Sequence, residues 1–206
     1  MIGFDGKIIT GKKVKNVKQT WLTIGILFIF ILAGCSQDIP DKTNWELADF
    51  QFTNQDGKSF GLDNVKGNIT VANLIFTNCT TVCSPMTANM AKLQKMADEK
   101  ELNVQFLSFS VDPEVDKPDV LKEFSGRFTE DLSNWNFLTG YSQQDIESFG
   151  QENFKTIVAK PKDGGEVVHG TSFYLIDQEG VIIKSYDGLD VPYEEILKHI
   201  EILEKQ

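Results

Sequence analysis

The apolar run from Ile69 to Phe76 is the feature that most constrains what this chain can fold into. A strand that is apolar along nearly its whole length needs both faces covered, which is typical of the interior of a sheet with helices packed on each side. The polar segment from Thr77 to Pro85 ends the run, and apolar residues then recur at helical spacing from Met86. This succession of strand, loop and helix predicts a layered α/β domain.

The rest of the pattern places further elements around this strand. The expected strands are a hairpin over 47–62, runs over 104–111 and 135–138, and a second hairpin over 172–176 and 181–186. The expected helices cover 120–128, the region of 146–149 and 193–203, and Ser84 is expected to cap the helix that follows the polar segment. We therefore expect an α/β fold with a central mixed sheet flanked by helices and an N-terminal β-hairpin. Strand, cysteine loop and helix in this order resemble thioredoxin-like folds.

The first 35 residues carry the parts of an export signal. Lysines from Lys7 to Lys18 precede an uncharged apolar run from Trp21 to Ala33, and the segment ends Leu32-Ala33-Gly34-Cys35. A spanning helix needs roughly 20 apolar residues, so this shorter run favours a signal peptide over an uncleaved anchor helix.

The four residues that end this segment resemble a bacterial lipoprotein box. The resemblance implies a signal peptide over 1–34, a lipidated Cys35 with a tether over 35–44, and one folded domain over 45–206. Several acyl chains on one cysteine give lasting attachment, because a single chain binds a bilayer only marginally. We expect a lipid-anchored protein on the outer face of the bacterial plasma membrane.

The charge of the chain excludes one class of partner. Its formal net charge is −10, and the first 34 residues hold five lysines and one aspartate, so the remainder is more acidic still. Nucleic-acid binding needs lysine and arginine to neutralise phosphates. We therefore expect no nucleic-acid partner.

Two of the three cysteines form a close pair. With Cys35 assigned to lipid, Cys79 and Cys83 remain, four positions apart. A disulfide across so small a loop adds little stability, which favours a reactive or metal-binding pair. On a helical turn such side chains share one face, so the two thiols are able to form a disulfide or to bind one metal ion. A helix N-terminus would also lower the pKa of a thiol there.

His169 is the candidate for a third ligand. It lies in a loop that leads into the predicted strand over 172–176, and spacing alone leaves open whether it binds metal or has no role. Two thiolates and one imidazole suit copper, because sulfur favours Cu(I) and nitrogen accommodates Cu(II). The chain's other histidine, His199, is expected on the solvated face of the last helix.

Three motifs run in order across residues 45–206. They are Cys79-Thr-Thr-Val-Cys83-Ser-Pro85-Met86, then Ser110-Val-Asp112-Pro-Glu-Val-Asp116-Lys-Pro118, then His169-Gly-Thr-Ser-Phe-Tyr-Leu-Ile-Asp177. Together they resemble the Sco/SenC family of copper proteins, which serve the assembly of cytochrome c oxidase.

The resemblance implies a site and partners. Cys79, Cys83 and His169 would bind copper as Cu(I), Cu(II) or both, and Cys79 and Cys83 would also act as a redox pair. The implied partners are the CuA domain of oxidase subunit II, which would receive copper or have its cysteines reduced, and a membrane thiol reductant. Gly170 departs from the small hydroxyl residue that is commoner at this position.

Asp112 and Asp116 belong to the middle motif. For Asp112 the resemblance suggests an acid near the copper site that tunes its ligands, while an Asp-Pro turn that ends a strand is the plainer interpretation. For Asp116 we expect a local structural role.

Four other classes compete with a copper carrier. A peroxiredoxin-like thiol peroxidase would need a threonine three positions before its cysteine, whereas Thr77 lies two before Cys79. A thiol–disulfide oxidoreductase of the thioredoxin superfamily usually has two residues between its cysteines, and this chain has three. A structural zinc site would need a fourth ligand, and a purely structural disulfide would leave His169 unexplained.

Overall fold

A computed structural model of the protein describes residue 3 and residues 38–163 and 165–206. Asp38–Gln206 form one compact unit. The predicted signal peptide and Cys35 lie outside the described residues. Near the start of the unit, Ile39 is buried and Thr43 donates hydrogen bonds to the carbonyl groups of Ile182 and Ile183. These residues therefore pack against the folded unit.

In the described part of the chain, eight strands form one mixed sheet. They are β1 (Trp45–Glu46), β2 (Gln51–Asn54), β3 (Ser59–Gly61), β4 (Ile69–Ile75), β5 (Val104–Ser110), β6 (Trp135–Thr139), β7 (Ser172–Ile176) and β8 (Val181–Asp187). Their order in the sheet is β1-β8-β7-β4-β5-β6-β2-β3, with β4, β5 and β6 parallel and the other pairs antiparallel. The expected N-terminal hairpin is the antiparallel pair β2 and β3.

Five helices accompany the sheet in the same ranges. They are α1 (Leu62–Val65), α2 (Cys83–Glu99), α3 (Pro118–Ser125), α4 (Gln143–Phe154) and α5 (Tyr193–Leu203). None of the described helices combines the length and the hydropathy that crossing a bilayer demands.

The sheet separates two hydrophobic cores. Successive side chains of a strand point to opposite faces, and the buried residues of β4 divide accordingly: Val71 belongs to one core and Ala72 to the other. The first core takes its helical side chains from α2, α3 and α5, and the second takes them from α1, α4 and the first residue of α2, Cys83. Every residue of β4 is buried, so the apolar run that begins at Ile69 is the central strand of a three-layer domain, as expected.

The start of α2 differs from the prediction. The helix begins at Cys83 with Val82 at the N-cap, so Ser84 lies inside the first turn and the prediction of a Ser84 cap is wrong. No side-chain hydroxyl caps the helix. The thiol of Cys79 takes part of that role, because its Sγ accepts a hydrogen bond from the Cys83 N–H at 3.3 Å. The sequence pattern does not show that a thiol, and not a hydroxyl group, accepts this hydrogen bond.

Candidate metal centre

The cysteine loop, residues 77–83, leaves the carboxyl end of β4 and is anchored by a buried carboxyl group. Asp116 accepts hydrogen bonds from the Thr77 N–H (3.2 Å), the Thr77 hydroxyl (2.5 Å) and the Ser110 hydroxyl (2.6 Å). The Asp116 residue is 0% exposed, and burial raises its pKa against the opposing effect of these hydrogen bonds. Asp116 therefore joins the base of the cysteine loop to the end of β5.

The two thiols are reduced and lie in different environments. Cys83 is 0% exposed under the first turn of α2, whereas Cys79 is half-buried in the loop. The Cys79 sulfur lies next to the Cys83 N–H and 3.8 Å from the Thr81 hydroxyl. The two thiols are therefore neighbours at the start of α2.

The pKa values of the two thiols are shifted in opposite directions because their environments differ. Burial opposes ionisation of Cys79, but hydrogen bonds from the Cys83 thiol and from the N–H groups at the start of α2 outweigh it and lower the Cys79 pKa. Burial is the largest effect on Cys83 and raises its pKa far above the ordinary thiol range, and the neighbouring Cys79 adds to the rise. Of the two thiols, Cys79 is therefore the more easily ionised and Cys83 the less easily ionised.

His169 contacts Cys83 from a different segment of the chain. Its Nε2 lies 3.3 Å from Cys83 Sγ, and its Nδ1 lies 2.8 Å from the Gly170 carbonyl oxygen. A carbonyl only accepts, so Nδ1 carries the ring proton and the lone pair of Nε2 faces the sulfur. Burial lowers the pKa of His169, which favours the neutral ring. Phe76 packs edge-on against the ring, with centroids 5.6 Å apart.

His169 stands on the histidine hairpin, residues 156–171, outside the main sheet. The described bridge between its two arms pairs Ala159 with Val168. The structure also explains the glycine after the histidine, because a Cβ on Gly170 would collide with the side chain of Thr156 on the opposite arm. The departure from a small hydroxyl residue at this position is therefore matched by Thr156.

Asp112 lies beside the hairpin. Its carboxylate accepts a hydrogen bond from Lys160 of the first arm at 2.8 Å, and Lys160 also contacts Glu114 at 2.7 Å. Among the described residues no hydrogen bond joins the Asp112 carboxylate to Cys79, Cys83 or His169. Asp112 thus touches the segment that carries a predicted ligand, and its tuning role stays a prediction.

The three predicted ligands lie near one another but do not surround a common point. In the described ranges no three side chains of the types His, Cys, Asp or Glu are already arranged to hold a metal ion. Cys83 and His169 are in contact, and Cys79 is turned toward the helix N–H instead. Two soft sulfur donors and one neutral imidazole are the chemistry that copper prefers. The donor types of these three residues therefore fit copper.

The second histidine is not where the sequence predicted it. His199 is 4% exposed, and its Nδ1 lies 2.7 Å from the Tyr186 hydroxyl. The prediction of a solvated position is therefore wrong, because α5 turns this side chain toward β8. His199 belongs to the hydrophobic interior and not to the site.

Comparison with known proteins gives a consistent result. The SCO1/SenC family model matches residues 40–204. A SCO1 protein homolog of Bacillus subtilis is 45% identical over 181 residues, which cover 87% of this chain and 94% of that protein.

Solved structures share the fold. A SCO1/SenC family lipoprotein from Bacillus anthracis is 58% identical with a TM-score of 0.79, over 81% of this chain and 99% of that one. BsSco, described as having a disulfide switch and as a member of the Sco family of cytochrome c oxidase assembly proteins, is 45% identical with a TM-score of 0.75, over 81% and 98%. Bradyrhizobium japonicum ScoI with copper bound has the same fold at 23% identity, with a TM-score of 0.63 over 77% and 99%.

These matches confirm the expected thioredoxin-like fold. The match to the family model covers most of the chain, and the B. subtilis relative supports it at high identity over nearly its full length. The chain belongs to the SCO1/SenC family.

Proposed function

We propose that this protein carries copper on Cys79, Cys83 and His169 and delivers it during assembly of the CuA centre of cytochrome c oxidase subunit II. The observation that carries the proposal is the 3.3 Å contact between His169 Nε2 and Cys83 Sγ, with the Cys79 sulfur beside it. Copper is the cargo of such a protein. Relatives described as oxidase assembly proteins, and family members crystallised with copper, support the same assignment.

Capture of copper requires a proton to leave the site. Cys83 is protonated in the metal-free protein because burial raises its pKa, while a metal binds the thiolate. Copper therefore displaces the Cys83 proton, and His169 offers a lone pair without releasing one.

Release uses the difference in exposure between the thiols. Cys79 is half-buried and Cys83 wholly buried, so an acceptor's thiolate reaches the ion on the Cys79 side. Exchange of Cys79 for the incoming sulfur, followed by exchange of Cys83 and His169, passes the ion on.

Thiol reduction is the second candidate function, and the opposed acidities of the cysteines favour it. The Cys79 thiolate would attack a disulfide of the CuA subunit, forming a mixed disulfide and releasing one partner thiolate. Cys83, giving up its proton, would then attack Cys79 and release the second partner thiol. The Cys79–Cys83 dithiol is oxidised, the partner disulfide is reduced, and a membrane thiol donor restores the dithiol.

The proposal includes a lipid anchor that would hold this chemistry at a membrane. Residues 1–34 would be removed, lipid on Cys35 would attach the chain to the outer face of the plasma membrane, and residues 35–44 would lead into the domain over 45–206. The B. anthracis relative, which is described as a lipoprotein, supports this arrangement.

A copper titration tests the assignment. The full chain, reduced and purified in detergent, is titrated with Cu(II) while absorption and spin-resonance spectra are recorded. An intense sulfur-to-copper charge-transfer band at one equivalent is the expected result. A parallel Cu(I) titration against a chromophoric chelator measures affinity for the other valence.

Matched variants identify the ligands. The band should disappear in Cys79→Ser, Cys83→Ser and His169→Ala, and it should persist in Cys35→Ser and in His199→Gln, which changes the other histidine. Copper that merely oxidises the pair, with no Cu(I) affinity above that of Cys79→Ser, would reject the carrier and leave the thiol reductant.

A further inference from the structure

The two parts of the site come from distant segments of the chain. Cys83 and His169 are 86 positions apart, and the histidine hairpin does not belong to the main sheet. Its arms are joined by two hydrogen bonds between Ala159 and Val168, of 3.0 and 2.9 Å. These bonds shape the hairpin but do not fix its distance from the cysteine loop.

Glu166 makes the contact that does span this distance. Its Oε1 accepts hydrogen bonds from the Thr80 N–H at 3.1 Å and from the Thr80 hydroxyl at 2.5 Å. Thr80 lies between the two cysteines, and Glu166 lies three positions before His169. Among the described residues, these two bonds and the Cys83–His169 contact are the hydrogen bonds that join the cysteine loop to the histidine hairpin.

The chemistry of this contact suits a positioning role. A carboxylate that accepts two donors from one residue fixes direction as well as distance, because a charged acceptor makes shorter and stronger hydrogen bonds than a neutral one. The same oxygen satisfies a backbone N–H of a loop that lies outside regular secondary structure. Glu166 and Thr80 are both exposed, whereas the adjacent Val167 is buried in the same core as Cys83, so the Glu166–Thr80 contact adds a directed polar link at the edge of that core.

We propose that Glu166 is a positioning residue, which holds the histidine hairpin on the cysteine loop so that His169 faces the dithiol before copper arrives. The inference rests on the proposed copper function, and it adds a residue that is not itself a ligand. Residues that orient ligands commonly change metal affinity by one to two orders of magnitude when they are removed. Glu166 therefore raises the affinity for copper by sparing the protein the cost of bringing the hairpin in.

Three variants of the full chain in detergent test the proposal. Glu166→Ala removes both hydrogen bonds. Glu166→Gln removes the charge but keeps an acceptor oxygen. Asp163→Ala removes a charge from the same hairpin at an exposed side chain with no described bond to Thr80, and serves as the matched control. Two quantities are measured: Cu(I) affinity by chelator competition, and hydrogen exchange of the Thr80 and Val168 amides in the reduced, copper-free protein.

The expected pattern separates positioning from general stability. Cu(I) affinity should fall about tenfold in Glu166→Ala, stay within about threefold in Glu166→Gln and not change in Asp163→Ala. Exchange at Thr80 and Val168 should accelerate in Glu166→Ala alone, with little change in the thermal midpoint.

Each failure has its own signature. Unchanged affinity in Glu166→Ala, or an equal loss in Asp163→Ala, would overturn the proposal while leaving the copper function intact. A wild-type protein without Cu(I) affinity would instead overturn the copper function. The exchange rates would then decide alone: acceleration at Val168 in Glu166→Ala sustains the positioning role, and its absence refutes it.

Discussion

The cysteine loop and the histidine hairpin supply donors to one site but are held in different ways. The cysteine loop continues a fully buried strand and is anchored by Asp116, which is 0% exposed. The histidine hairpin lies outside the main sheet, buries Val158 and Val167 in the second core, and is held at its exposed side by polar contacts of Glu166 and Lys160. A buried anchor with several hydrogen bonds is costly to disturb, whereas exposed polar contacts stabilise only weakly.

If Cys79, Cys83 and His169 bind copper as proposed, we expect movement at the site to occur mainly in the histidine hairpin, because its polar contacts are more exposed than the Asp116 anchor. The predictions below test this contrast, in order of decreasing effect.

Removal of Asp116 should damage the rigid half. Asp116→Ala leaves the Thr77 N–H, the Thr77 hydroxyl and the Ser110 hydroxyl without their acceptor, and we expect a loss of about 3 kcal/mol in the free energy of unfolding. Urea unfolding of the reduced protein measures it. Asp116→Asn retains an acceptor oxygen and should lose less than half as much. Equal stability of Asp116→Ala and wild type would contradict a buried anchor.

The two halves should also differ in their response to pH. Burial raises the pKa of Cys83, so its thiol is protonated between pH 5.5 and 7.5 and must lose that proton to bind copper. Affinity for Cu(I) should therefore rise by about tenfold per pH unit for each proton released. Burial lowers the pKa of His169, so we expect its ring to add little to the slope near neutrality. Chelator competition in buffers across this range measures the slope, and a flat profile would contradict thiolate ligation.

A methyl group on Gly170 should disturb the hairpin selectively. Gly170→Ala pushes against Thr156, and we expect about 1 kcal/mol of destabilisation from overpacking together with weaker copper binding. The double variant with Thr156→Ala should recover most of both, because the colliding atoms are removed. Unfolding and chelator competition on the same samples provide the two readings. No recovery in the double variant would mean that Gly170 matters for another reason.

The smallest expected effect concerns Asp112. If Asp112 influences the site through Lys160, then Asp112→Asn and Lys160→Met should each lower Cu(I) affinity a few-fold, and the double variant should be no worse than either single one. The salt bridge itself should contribute only about 0.5 kcal/mol to folding. Additive losses in the double variant would show that Asp112 and Lys160 act separately.

The architecture could be predicted from the sequence because its signals are local. The apolar run from Ile69 predicts a buried strand, and the spacing of apolar residues predicts the helix Tyr193–Leu203. The structure has both at nearly the predicted bounds. The missed features depend on contacts between distant residues. Strand β1 is only two residues long and exists by pairing with β8, and His199 is buried because β8 supplies Tyr186.

The same distinction applies to the site. Its three predicted ligands could be named from their motifs, and the structure brings Cys83 and His169 together. The local structural role expected for Asp116 falls short of what the structure shows, because its hydrogen bonds to Thr77 join residues 39 positions apart and are not visible in the local pattern. Glu166 and Lys160 gave no signal, because a surface glutamate or lysine looks like any other until the fold places its partner beside it.

The complete burial of Cys83 behind a half-buried Cys79 has a consequence for the size of what the protein admits. A bulky electrophile is able to react with one thiol of the site, because only Cys79 is partly exposed to solvent. A bare ion or a small oxidant needs far less room, so we expect only partners of that size to react with Cys83 as well. The dithiol thus filters its reaction partners by their dimensions before any difference in chemical affinity applies.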